Sequence, residues 1–220
     1  MVDIFDEVEE DLRAERAERL LKKYAWLLAV AAVAVVGGVA GRQLWQRHQN
    51  QQDVAAATRY VAVQTALESP KADKAEQISA LGQIAATAPE GYKTLARLRE
   101  AGLRADTGDL PGAVALWDAV AADASADPLL RDLATLQATQ RELDQGDPAQ
   151  LEARLKPLAD PRNAWSPLVR EQLAVLDLRQ GRVDEARKKL QILSFDIDAP
   201  AGLRARASAL LAGLGTPDAK

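Results

Sequence analysis

Gly108-Asp109-Leu110-Pro111-Gly112-Ala113-Val114-Ala115-Leu116-Trp117 is the stretch on which the fold turns. A glycine stops one helix, an aspartate caps the next and a proline occupies its first turn. A small residue, Ala113, then precedes a bulky one, Trp117, by one helical turn. Outward from this stretch the same punctuation returns at Gly146-Asp147-Pro148 and Gly181-Arg182, so the turn glycines stand 38 and 35 residues apart. Further breaks fall at Ser69-Pro70, Pro89-Glu90-Gly91, Asp127-Pro128, Asp160-Pro161 and Ala199-Pro200. The intervening stretches have apolar residues at helical spacing, and none alternates as a strand would. These breaks predict helices near 52–68, 73–88, 91–106, 110–123, 128–144, 148–159, 166–179, 183–194 and 200–213, which make four hairpins and a closing helix.

The glycine spacing is close to the roughly 34-residue tetratricopeptide period, and a true repeat must show more than its turn. Alignment on Gly108 places Ala101, Ala113 and Trp117 at the small, small and large positions; alignment on Gly181 places Ala174, Ala186 and Leu190 there. The middle unit offers Thr139, Leu151 and Leu155, a degraded version. Small residues allow paired helices to cross closely, and stacking buries a core that no single hairpin could build. The region resembles a divergent tetratricopeptide array, so the expected class is all-α, with a solenoid over residues 52–220.

Ahead of the array, residues 24–41 form 18 consecutive positions without a charge, between Lys22-Lys23 and Arg42. At about 1.5 Å per residue, Trp26 and Trp45 stand roughly 28 Å apart, matching the hydrocarbon thickness of a bilayer. The reading is a single transmembrane helix over residues 24–45, in contact with membrane lipid. A cleaved signal peptide, cut after Ala40, and a buried core helix are the competing readings. The first competes poorly because the segment ahead of the run is long and net acidic. Arg13, Arg16, Arg19, Lys22 and Lys23 precede the run, against Arg42, Arg47 and Arg59 behind it, which predicts a cytoplasmic N-terminus. The expected location is a bacterial inner membrane, with the C-terminal domain periplasmic. Gly37 and Gly41 carry the small-x-x-x-small pattern of helices that pack closely in membranes, which also allows a homodimer. Residues 1–23, with Ile4, Phe5, Val8 and Leu12 at helical spacing, read as a cytoplasmic amphipathic segment, and residues 46–51 as a juxtamembrane linker.

Composition closes several doors. The 220 residues are 48% apolar and 27% charged with a net charge of −4, so there is no basic footprint for nucleic acid. There is no cysteine and one histidine, His48, which removes thiol chemistry and the usual metal-ligand sets. Carboxylates fall at salt-pair spacing or as caps, including Asp109, Asp127 and Asp147. No serine has a nucleophile-elbow context, and no glycine-rich phosphate loop is present. The sequence therefore predicts neither an enzyme nor a cofactor.

Ile4-Phe5-Asp6-Glu7-Val8-Glu9-Glu10-Asp11-Leu12-Arg13, the span over residues 24–44, and the stretch from Gly108 to Trp117 together resemble the YfgM-like group of ancillary SecYEG translocon subunits. That resemblance implies a membrane-anchored periplasmic scaffold linking the Sec channel to a PpiD-like chaperone or to emerging secretory clients. The alternative is an envelope scaffold for cell-division or cell-wall assembly complexes.

In such an array the first helix of each hairpin lines a concave face that holds a partner segment. Repeat position assigns Leu98, Gly102, Leu136, Gln140, Val175 and Arg179 to that face, although Leu136 and Val175 also fit an ordinary core between repeats. Arg170, Arg179 and Arg182 are interleaved with Glu171, Asp177, Asp184 and Glu185, which reads as a solvated mixed-charge face.

Overall fold

The structure, a computed structural model, describes residues 4–215. The side chains of residues 4–21, 24, 25, 28, 29 and 32 lie outside the described residues, and with them the stripe of Ile4, Phe5, Val8 and Leu12. Every element is helical: α1 (Ile4–Leu67), α2 (Lys74–Thr87), α3 (Glu90–Asp106), α4 (Leu110–Ala122), α5 (Pro128–Glu142), α6 (Pro148–Leu155) running into a 3-10 turn (Lys156–Ala159), α7 (Ser166–Arg179), α8 (Val183–Phe195) and α9 (Ala201–Gly213). The expected helix at 52–68 is the end of α1, and residues 46–51, expected as a linker, are helical as well. Gln46-Arg47-His48-Gln49-Asn50-Gln51 holds no glycine or proline, so nothing local stops the helix there.

The chain divides into two compact units, Met1–Val54 and Ala55–Lys220. In the first, the described apolar side chains of the 24–41 run are exposed, Val33 at 72% and Val36 at 68%. Among the described residues no helix is long and apolar enough to cross a membrane. The side chains of Tyr24, Ala25, Leu28, Ala29 and Ala32, which belong to the run, lie outside the described residues. A Cβ built on Gly37 or Gly41 would meet nothing within 4 Å.

In the second unit each helix from α2 to α9 packs on its chain neighbours. Residues 55–67 of α1 join them through Val63, which shares a buried cluster with Leu81, Ile84, Ala96 and Leu103. The repeat positions read from the sequence form the core. Ala101, Ala113, Ala174, Ala186, Leu190 and Leu155 are fully buried, and Trp117 and Leu151 nearly so. Three of the expected caps act as such: the carboxylates of Asp109, Asp127 and Asp147 accept from backbone amides at the starts of α4, α5 and α6. Each satisfies donors the first helical turn leaves unpaired.

Gly108 and Gly181 adopt left-handed φ values of 94° and 73°. Both close the same C-terminal motif. Asp109 N donates to Arg104 O at 2.9 Å and Arg182 N to Asp177 O at 2.8 Å, each a bond reaching five residues back. Side chains latch both turns with opposite polarity. Arg104 reaches Asp109 at 3.1 Å in the first, and Arg182 reaches Asp177 at 2.6 Å in the second.

The middle turn differs. Gly146 is not left-handed, and a Cβ on it would sit 2.9 Å from Glu142 O and 3.0 Å from Leu151 Cδ1, so glycine is there for close approach. Thr139, which weakens this unit by sequence, is fully buried with its Oγ1 2.9 Å from Gln172 Oε1, while Gln172 Nε2 donates to Leu136 O at 3.1 Å. A polar bridge between α5 and α7 replaces the small-residue contact of the other units. Asp177 also departs from the expected solvated face. Its side chain is 3% exposed and is paired with Arg182 and with Lys189 of α8, while Arg182 reaches Glu152 of α6 at 2.8 Å. Lys189 and Glu152 come from neighbouring helices, which charge alternation along α7 does not reveal.

Candidate functional site

The first helices of the hairpins, α3, α5 and α7, together with α9, carry a groove made of two adjoining recesses. Between α3 and α5 lies a space of about 370 Å³ lined by Leu95, Leu98, Gly102, Leu130, Leu133 and, from beneath, Trp117 of α4. Tyr60, Arg99, Asp106, Gln137, Gln140 and Arg141 complete its walls. A second space of about 220 Å³, between α5 and α7, is lined by Leu136, Leu143, Leu168, Gln172 and Val175, with Glu171 and Arg206. Leu133, Gln137 and Gln140 border both, so the two recesses share the α5 wall.

Five of the six residues assigned by repeat position line these recesses. Leu98 and Gly102 sit in the first, Leu136 and Val175 in the second, and Gln140 in both. Leu136 also belongs to the buried cluster with Leu151, Leu155, Leu158, Val169 and Leu176, so it serves core and groove together. Arg179 does neither. Its guanidinium donates to Leu143 O and, at 3.0 Å, to Gly146 O, which satisfies carbonyls at the end of α5. That end lacks the left-handed glycine closure of α3 and α7, and an arginine from the next repeat supplies the donors instead.

Other lining residues were within reach of helical periodicity. Leu95, Leu98, Gly102 and Asp106 follow one face of α3, and Leu130, Leu133, Gln137 and Gln140 one face of α5, at steps of three and four. Tyr60 and Trp117 were not, because Tyr60 reaches the site from α1 and Trp117 from beneath, on α4.

The rim is charged in an ordered way. Arg141 pairs with Asp106 at 2.7 Å, bridging α5 and α3 across one end. Arg206 of α9 grips Glu171 with two bonds of 2.8 and 2.9 Å, and this carboxylate holds the guanidinium above its ordinary value. Arg99 is different: its Nε donates to the amide oxygen of Gln64 at 3.0 Å, and among the described residues it makes no ion pair. His48 lies outside the groove and exchanges a 3.0 Å hydrogen bond with Gln52. Among the described residues no group of three or more His, Cys, Asp or Glu is placed to hold a metal ion.

Stacked helical hairpins with an apolar groove on the first-helix face define a repeat scaffold of the protein-interaction class. The comparison with family profiles agrees: residues 19–191 match the tetratricopeptide repeat-like domain, and the chain belongs to that family. Comparison with curated proteins and with solved structures returned no match.

Proposed function

We propose that the chain is a membrane-anchored interaction scaffold whose groove receives segments of partner proteins on the periplasmic side of a bacterial inner membrane, as an ancillary part of the Sec translocon. The observation that carries the interaction reading is the two-recess groove, lined by leucines and Val175 together with glutamines and charged side chains. Protein partners follow from the repeat class itself. Anchoring is supported by the charge-free run at residues 24–41 and by the excess of Lys and Arg ahead of it. The SecYEG channel and a PpiD-like chaperone come from the resemblance of the N-terminal segment, span and repeats taken together. Confinement to the membrane raises the effective concentration of a weak groove near the channel exit.

The test is photocrosslinking in intact cells from a reactive residue at Gln140 and, separately, at Gly37 and Gly41, with adducts identified by mass spectrometry. Adducts to channel subunits or to a periplasmic chaperone are expected. Adducts to division or cell-wall proteins alone would replace the secretion reading with the envelope-assembly one. Because the chain has no cysteine, single cysteines introduced at Asp3 and Asp218 report topology directly. An impermeant maleimide labels the second in intact cells if the anchor reading holds, and labelling of both or neither defeats it.

A further inference from the structure

We propose that the α3–α5 recess seats one apolar side chain of an extended partner segment, that the segment's backbone crosses α3 at Gly102, and that a carboxylate beside the seated residue docks on Arg99. This rests on the reading of the groove as the interaction surface and names what the groove takes.

Gly102 is the first argument. It stands in the interior of α3, where glycine costs roughly 0.5–1 kcal/mol relative to alanine. Its φ is not left-handed, and a Cβ there would meet nothing within 4 Å, so the chain's own packing does not call for glycine. Gly146 makes the contrast: a Cβ on it would sit 2.9 Å from Glu142 O. A helical glycine that faces open space on a groove wall lets a foreign main chain approach closer than any side chain would permit.

The recess supplies the second argument. Leu95, Leu98, Trp117, Leu130 and Leu133 give it an apolar lining, and its volume of about 370 Å³ accommodates a leucine or phenylalanine side chain with part of the main chain. An apolar side chain seated against Leu95, Leu98, Leu130 and Leu133 gains the burial of its surface.

Charge decides the third. Around this recess Arg141 is neutralised by Asp106, while Arg99, among the described residues, is bonded to the neutral amide of Gln64 and to no carboxylate. Among the described residues the rim therefore carries a guanidinium, that of Arg99, without a carboxylate partner. A segment bearing a carboxylate complements that rim, and a basic one does not.

The test uses the purified full chain and fluorescein-labelled dodecapeptides with a single leucine in a Gly-Ser background, flanked on both sides by Asp in one peptide and by Asn in the other. Anisotropy titrations are expected to show the Asp-flanked peptide binding about tenfold more tightly. Arg99→Gln should equalise the two. Gly102→Leu should weaken both peptides by about tenfold or more, and Gly102→Ala should weaken them while raising the thermal midpoint, which shows that the fold is intact. Equal binding of the two peptides, no binding of either, or unchanged binding to both folded Gly102 variants would overturn the proposal. The broader reading is scored separately by the Gln140 crosslinks. Partner adducts that persist in Gly102→Leu leave the groove reading standing while this one falls, whereas loss of adducts from the parent chain removes the groove reading itself.

Discussion

Replacing Gly181, Gly146 and Gly102 by alanine, one at a time, makes the same chemical change in three settings, and the structure assigns each a different sign or cause. At Gly181 the backbone is left-handed with φ 73° and a Cβ would meet nothing within 4 Å, so the cost is conformational, about 1–2 kcal/mol. At Gly146 the cost is steric. The new Cβ lies 2.9 Å from Glu142 O, and that oxygen accepts the 2.7 Å hydrogen bond from Gly146 N, so it cannot withdraw without weakening the closure of α5. Leu151 Cδ1 presses from the other side at 3.0 Å, and overpacking of this kind costs about 1–3 kcal/mol. At Gly102 the helix is ordinary and the space open, so alanine should stabilise the fold by about 0.5–1 kcal/mol. Urea denaturation of the full chain followed by far-UV circular dichroism measures all three, with the slope compared so that midpoint shifts report stability. A neutral Gly146→Ala would refute the close approach of α6 to the end of α5. A destabilising Gly102→Ala would mean that this face of α3 packs against something, and the argument from an empty glycine would fail.

Trp117→Ala should be the most damaging single change in the first complete repeat, by about 3–5 kcal/mol in the same assay, because Trp117 is 1% exposed and binds α3, α4 and α5 into one cluster. Thr139→Val keeps the shape but leaves the amide oxygen of Gln172, itself 5% exposed, without its donor, for a loss of about 1–3 kcal/mol; a neutral result would deny the polar bridge its role. Backbone amides and neighbouring arginines hold the carboxyls of Asp109 and Asp123 below the ordinary value of 3.8: chiefly the Gly112 amide, then Arg104, for the first, and chiefly Ser125, with Lys93 and Arg97, for the second. Their contribution is present above that ordinary value and is lost as pH falls through the lower folded ones. Stability should therefore drop below about pH 4, and less steeply in Asp109→Asn, as read from urea midpoints against pH.

The helices and their order were legible because their signals are local. An aspartate at each of 109, 127 and 147 caps a helix whatever lies around it, and the alanines at 101, 113, 174 and 186 occupy positions whose smallness has a steric reason. The continuation of helix through residues 46–51 was not legible from the linker-like polarity of the segment, since polarity without glycine or proline does not break a helix. Leu98, Gly102, Leu136, Gln140 and Val175, assigned by repeat position, line the two recesses. Arg179 occupies the matching place in α7 but answers instead to the unpaired carbonyls at the end of α5, which depend on how the Gly146 turn closes. Asp177 is a similar case: Arg182 reaches it within its own turn, but Lys189 of α8, and Glu152 of α6 on the far side of Arg182, are brought there only by stacking.

The opposed polarity of the two turn latches bears on how such a chain avoids tangling as it folds. A repeat architecture offers each helix several look-alike mates, and exchange between hairpins is a characteristic failure of these chains. If α3 were to close against α8, Arg104 would face Arg182; if α7 were to close against α4, Asp177 would face Asp109. Both mismatches set like charges together at a hairpin corner, and both correct pairings set opposite charges there. The two best-formed repeats thus carry opposite charge order at the corner where each hairpin turns, and a mispaired hairpin would lose an attraction at that corner and gain a repulsion.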